Sequence, residues 1–193
     1  REVATPFGAP SAKLMLGRLR GRPVAFLARH GANHERLPGE INFRANVWAL
    51  KSVGVRTIVG VSATGSLREG LKPGDLALPS QYLDFTRGGR AASFFGNGVV
   101  AHVSTAHPTC AATSQRVAAC AAELGFPIQV GQTYACVEGP RLGTRAEGQD
   151  SLSPLQSVAA GAARWGRFGG APRSAAAGAV RAAHFVNILI ATV

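Results

Sequence analysis

The sequence predicts an α/β fold built on a largely parallel sheet. Strand-like apolar runs alternate with helical patterns from residue 24 to residue 137. Three of these runs also close in the same way. "VAFLARHGANH" (24–34) ends in Arg29, His30 and His34. "TIVGVSATGSL" (57–67) turns through Ser62, Thr64, Gly65 and Ser66, and "TYACVEGPR" (133–141) delivers Glu138, Gly139, Pro140 and Arg141. A buried strand has no use for an arginine or a glutamate at its last step, and in open parallel sheets ligands bind beyond the carboxyl ends of the strands.

The elements follow in order. "PFGAPSAKLMLGRLRGRPVAFLAR" reads as two short strands joined by the turn residues Arg20, Gly21 and Arg22. "LPGEINFRANVWALKSVGV" reads as a helix with Ile41, Ala45, Trp48 and Ser52 on one face and Gly54 as its stop. "RTIVGVS" is a strand, and "LKPGDLALPSQYLDF" is a turn leading into a strand. "ATSQRVAACAAELG" is an Ala-rich helix ended by Gly125, and "TYACVEG" is a strand again. Beyond about residue 148 the character changes to an Ala/Gly/Arg-rich tract, 148–184, with helix-breaking Gly-Gly and Pro. It holds few large apolar residues to bury and is expected to be mobile or poorly packed. "FVNILIATV" (185–193) reads as a final buried strand. The expectation is one domain over 1–193, without internal repeats.

Composition narrows the function. The chain of 193 residues carries a net charge of +11. Its arginines are scattered, without a block of like charges, and only 7% of residues are aromatic, which argues against a nucleic-acid platform. The longest apolar tract falls short of the ~20 residues that span a bilayer. No charged-then-apolar leader opens the sequence. Cys110, Cys120 and Cys136 are odd in number and form no CxxC pair, so neither a disulfide framework nor a zinc site is expected. A reducing, cytoplasmic setting fits best.

The strand ends carry the candidate chemistry. Arg29 offers a planar fork matched to a phosphate or carboxylate, His30 adds a further donor, and Gly31 lets the backbone approach a ligand. A solvated surface turn is the plainer alternative. His30 and His34 have a spacing that invites a metal, but Gly31 and Asn33 make the segment a loop, and no metal is expected. "SATGSL" can present N–H groups and hydroxyls to an anion, although no Gly-Lys-Ser/Thr follows to make a Walker loop. Glu138 either bonds sugar hydroxyls or pairs with Arg141 or Arg145.

Together the segments "TPFGAPSA", "FLARHGANH", "INFRANVWALK", "VSATGSLREGLKPGDLALPSQYLDFTR", "FFGNGVVAHVSTAHP" and "YACVEGPRLGTRAE" resemble the purine nucleoside phosphorylase superfamily, in its 5′-methylthioadenosine phosphorylase branch. The resemblance covers about 5–147. It implies a phosphorylase/hydrolase-like α/β sandwich, with a central mixed, largely parallel sheet flanked by helices, assembled as a homotrimer. It implies phosphorolysis of 5′-methylthioadenosine, or a related purine nucleoside, to free base and 5-methylthioribose 1-phosphate. Phosphate would be the co-substrate, with no metal or organic cofactor. By position it makes Arg29, His30, Ser62 and Ala63 phosphate ligands. Glu138, Leu142 and Gly143 would be nucleoside-binding, and His102 a contribution to a neighbouring subunit's site.

The sequence departs from the family pattern at both ends. The family's first, glycine-rich strand is expected before residue 1. The Ala/Gly/Arg tract stands where Gly-Met-Thr and Pro-Glu-Ala motifs are expected, a composition that a shifted reading frame across roughly 148–180 would explain. "ILIATV" stops before the Thr-Asp-x-Asp segment that carries the base-contacting aspartates, so no catalytic residue is assigned. Leu142 occupies a position that many members give to a stacking phenylalanine. Alternatives are a purine nucleoside or methylthioinosine phosphorylase, or an inactive member that only binds phosphate or nucleoside.

Overall fold

The computed structural model describes residues 1–68, 70–86, 88–126, 128–141 and 143–144, together with the backbone of 158–161 and 188–192. The chain divides into two compact units. The first comprises Arg1–Ala63, Arg87–His102 and Phe185–Val193, and the second Thr64–Thr86 and Val103–His184.

The first unit holds β1 (Met15–Leu19), β2 (Arg22–Ala28), α1 (Phe43–Ser52), β3 (Thr57–Gly60) and a late strand, β8 (Ile188–Thr192). β1 and β2 form a hairpin in which Leu19 faces Arg22. Its loop is therefore Arg20–Gly21, with φ of 49° and 78°. Two positive φ values give the turn whose twist matches its strands, and Gly21 is the residue that tolerates this without strain. Arg22, expected in the turn, is instead the first residue of β2.

α1 opens on Asn42, whose side chain accepts from the Ala45 N–H at 3.1 Å. It closes as the sequence predicts, at Gly54 (φ 90°). The Gly54 N–H donates to the Lys51 carbonyl and the Val55 N–H to the Leu50 carbonyl, satisfying two orphan acceptors of the last turn. Val55 and Leu50 are thereby drawn into one apolar cluster with Leu14, Ala25, Leu27 and Ala49. A 3₁₀ turn, Pro38–Glu40, precedes the helix.

The buried face of α1 differs from the expected one. Ala45, Asn46, Ala49 and Leu50 are buried, whereas Trp48 is 42% exposed and Ser52 is exposed. Trp48 packs edge-on against Phe7 at 5.7 Å. Phe7 also meets Phe94 at 5.3 Å and lies under the Arg44 guanidinium at 4.9 Å. This aromatic group beside the core gives Trp48 its contacts. Helical spacing puts Trp48 on one face with Ala45; of that pair Ala45 is buried, together with Asn46, Ala49 and Leu50, and Trp48 is not.

The second unit holds β4 (Gly65–Ser66), β5 (Leu76–Phe85), α2 (Ala111–Glu123), β6 (Ile128–Val137) and β7 (Val158–Gly161). Its sheet runs β4-β7-β6-β5. α2 ends at Gly125 (φ 72°) with the same pair of closing bonds, Gly125 N–H to Ala122 and Phe126 N–H to Ala121. Pro79 interrupts β5, where it cannot donate to a ladder. The register shifts there, and Gly131 of β6 is skipped in the pairing, at φ 77°. Within the Ala/Gly/Arg tract, Val158–Gly161 forms β7. The rest of 148–184 lies outside the described residues.

The architecture is α/β, with mixed pairing. β5–β6 and β6–β7 are parallel and β4–β7 antiparallel. The first unit's sheet, ordered β1-β2-β8-β3, is antiparallel throughout, in contrast to the largely parallel sheet expected. Apolar periodicity identifies a strand but carries no information on its direction. β8 enters between β2 and β3 and runs against both.

Candidate functional site

That insertion has a geometric consequence. β2 and β3 are each antiparallel to β8, so they run parallel to one another. Their carboxyl ends share one edge, with Ala28 opposite Ile188 and Gly60 opposite Leu189. Two strand spacings, about 10 Å, separate them. Arg29 leaves the end of β2 and Ser62 follows β3. The Arg29 guanidinium crosses the gap and donates from Nη2 to Ser62 Oγ at 2.6 Å. Arg29 is half-buried, Ser62 exposed and Ala63 half-buried. Arginine provides a long stem with a delocalised, permanently charged head, which suits it to span this distance.

His30 lies beside this pair and is only 6% exposed. Its Nδ1 lies 2.9 Å from the Arg36 carbonyl oxygen. A carbonyl only accepts, so Nδ1 carries the proton and neutral His30 keeps a lone pair on Nε2. The Arg36 N–H donates back to the His30 carbonyl at 2.9 Å, closing the 30–36 loop. Burial holds the His30 imidazole below its ordinary value. The bond to Arg36 works the other way, and the neighbouring charges of Arg29 and His34 lower it further. The His30 and His34 rings stack at 4.7 Å and 20°. Gly31, with φ 87°, makes the turn, and an added Cβ there would meet the Glu35 carboxylate. Glu35 in turn accepts from the Asn33 N–H at 2.8 Å.

Among the described residues, no group of three or more His, Cys, Asp or Glu side chains gathers to hold a metal ion. No helix among them is long and apolar enough to cross a membrane.

The other site residues named from sequence stand as follows. Glu138 is half-buried and directly follows Val137, the last residue of β6, in the second unit. The Gly139–Pro140 peptide after it is cis. Gly143 is exposed. Leu142 and Arg145 lie outside the described residues. His102 is exposed and belongs to the first unit.

Sequence reading missed the support behind His30. Arg36 Nε donates to the Ser11 carbonyl at 3.2 Å. Ser11 is held by Asn46, whose Oδ1 accepts from the Ser11 N–H at 2.7 Å and whose Nδ2 donates to Ser11 Oγ at 2.9 Å. The one signal was an asparagine on an otherwise apolar helix face, and its partner is 35 residues away in the chain.

The family model described as the phosphorylase superfamily matches residues 1–162. The chain belongs to the phosphorylase superfamily. That match extends past residue 147, where the quoted motifs end. A curated relative, the S-methyl-5′-thioadenosine phosphorylase of Hyperthermus butylicus, is 49% identical over 146 residues, covering 76% of this chain and 53% of the relative. The chain thus spans about half the length of the curated relatives it matches. A solved methylthioadenosine phosphorylase from an Antarctic soil metagenomic library superposes with a TM-score of 0.79 at 43% identity, covering 83% of this chain and 56% of that one. A Schistosoma mansoni adenosine/methylthioadenosine phosphorylase variant in complex with adenine superposes with a TM-score of 0.78 at 31% identity, covering 83% of this chain and 66% of that one.

Proposed function

We propose that this superfamily member serves the phosphorolysis of 5′-methylthioadenosine, with inorganic phosphate as co-substrate and adenine and 5-methylthioribose 1-phosphate as products. The observation that carries the reading is the Arg29–Ser62 contact, which brings a guanidinium and a hydroxyl from two strand ends to one edge beside His30. The names of the relatives supply the substrate.

In this reading the C1′–N9 bond breaks as a bond forms between C1′ and a phosphate oxygen, and the proton of the phosphate passes on balance to the departing adenine. The sugar carries oxocarbenium character between the two events. An anion held rigidly at one face of it stabilises that charge without reorganising at the moment of reaction. Arg29, His30, Ser62 and the Ala63 backbone hold the phosphate. Glu138 takes the ribose hydroxyls, and Leu142 and Gly143 line the base. His102 completes the site of a neighbouring subunit in a homotrimer. The reaction takes place in the cytoplasm and uses no metal or organic cofactor.

The test is adenine release from methylthioadenosine with and without phosphate. The reading expects release that requires phosphate and is lost in Arg29→Ala. Phosphate-independent release would contradict it. A second reading is a chain that binds phosphate and nucleoside without turnover. It expects saturable phosphate binding with no adenine released.

A further inference from the structure

We propose that Asn46 is a positioning residue for His30, acting through Ser11 and Arg36 to fix the orientation and tautomer of the imidazole. The inference rests on the reading of His30 as a phosphate ligand. It extends that site to a helix residue that does not itself touch the ligand edge.

The path is continuous and lies within the first unit. Asn46 is 1% exposed and Ser11 4%. A buried amide and a buried serine are tolerated when each satisfies the other, and here they do so twice, through Oδ1 and through Nδ2. The reciprocal pair fixes the Ser11 peptide, whose carbonyl accepts a hydrogen bond from Arg36 Nε. With its side chain anchored, the Arg36 backbone stays where its carbonyl accepts from His30 Nδ1 and its N–H donates to the His30 carbonyl. The imidazole is therefore held from behind, with Nε2 as its remaining nitrogen. The neutral ring offers Nε2 as an acceptor to a protonated phosphate oxygen, and the protonated ring offers it as a donor to an anionic one. A ring free to rotate or to change tautomer would present the two nitrogens interchangeably and lose that discrimination. Hydrogen-bond partners behind a ligating imidazole generally set its tautomer in this way.

The nearby charged and titratable groups are Arg29 and His34, which bear on the ring electrostatically, and Arg36, which bonds it. Glu35 caps the Asn33 N–H within the same loop.

The experiment reads the imidazole directly. In protein labelled with ¹⁵N-histidine, long-range proton–nitrogen spectra report which ring nitrogen carries the proton, and His30→Gln assigns the signal. The wild type is expected to show a single Nδ1–H tautomer for His30. Asn46→Ala is expected to show a mixture and to bind inorganic phosphate about tenfold more weakly. Asn46→Asp, which keeps an acceptor for the Ser11 N–H, is expected to restore much of both. Leu50→Ala perturbs the same helix through the apolar core and is expected to leave the His30 tautomer unchanged. If Asn46→Ala does not fold, Ser11→Ala, which removes only the Oγ partner, carries the test with a smaller shift in the same direction.

An unchanged His30 tautomer in the Asn46 or Ser11 variant overturns the inference. Equal disturbance in Leu50→Ala overturns it too, since the effect would then be general loosening. Phosphate affinity that is indifferent to His30→Gln would instead overturn the phosphate reading, and the tautomer measurement would still decide the role of Asn46.

Discussion

Arg29 Nη2 donates to Ser62 Oγ at 2.6 Å, although a strand lies between the two strands that deliver them. Side chains 33 residues apart in sequence meet because β2 and β3 run the same way on either side of β8. The proposed phosphate site relies on the planar fork of arginine. Arg29→Lys keeps the charge and loses the fork, and it is expected to weaken inorganic phosphate binding about tenfold. Arg29→Ala is expected to weaken it about a hundredfold. Titration calorimetry checks both, and equal affinity in the lysine variant would show that charge alone suffices.

Stability should depend on pH through His30. Burial lowers its folded-state value from the ordinary 6.5 that the unfolded chain keeps. Between those two values the unfolded state binds more protons, so the unfolding free energy rises with pH. The contribution is complete above about pH 6.5 and is lost as the pH falls through that value towards the folded one. Urea unfolding at pH 7.5 and 5.5 is expected to show lower stability at the acid end, with a shallower difference in His30→Gln. An identical slope in that variant would assign the dependence elsewhere.

Phosphate binding should place a proton on His30. A bound anion favours the charged imidazole, reversing the effect of burial. Calorimetry near pH 6.5 in buffers of different ionisation enthalpy is expected to show a proton balance that includes phosphate's own titration and is shifted towards release in His30→Gln relative to the wild type. An identical balance in the two proteins would remove His30 from it.

Gly31 is a position where conformation demands glycine. Its φ of 87° strains any side chain, and an added Cβ would also displace the Glu35 carboxylate. Gly31→Ala is expected to cost roughly 1–2 kcal/mol in chemical denaturation. No loss of stability would mean that the turn relaxes without strain.

Cys110 should be the more readily alkylated of the two exposed cysteines at neutral pH. It stands at the N-terminus of α2, where the Thr113 side chain, followed by its amide, lowers the thiol. Iodoacetamide labelling followed by mass spectrometry is expected to favour Cys110 over Cys120 and to slow at Cys110 in Thr113→Val. Unchanged labelling in that variant would remove Thr113 from the account.

How much of this was legible in sequence depended on how local the physics was. The glycine stops at Gly54 and Gly125, the hairpin at Gly21 and the polar strand ends are short-range features, and they could be read directly. The direction of β8 was not legible, because an apolar run packs equally well either way. Nor was the Asn46–Ser11 pair, since an amide on an apolar helix face only makes sense once its distant partner is known. The stacking of His30 on His34 depends on the positive φ of both Gly31 and His34, which the residue spacing does not reveal.

The most direct measurement is a double-mutant cycle on phosphate affinity with Arg29→Ala, Ser62→Ala and the double variant. A shared anion site at the ends of β2 and β3 requires both single variants to bind more weakly, with a coupling of roughly 1 kcal/mol or more between them. Phosphate affinity unmoved by either substitution would place the anion elsewhere and contradict the proposed chemistry.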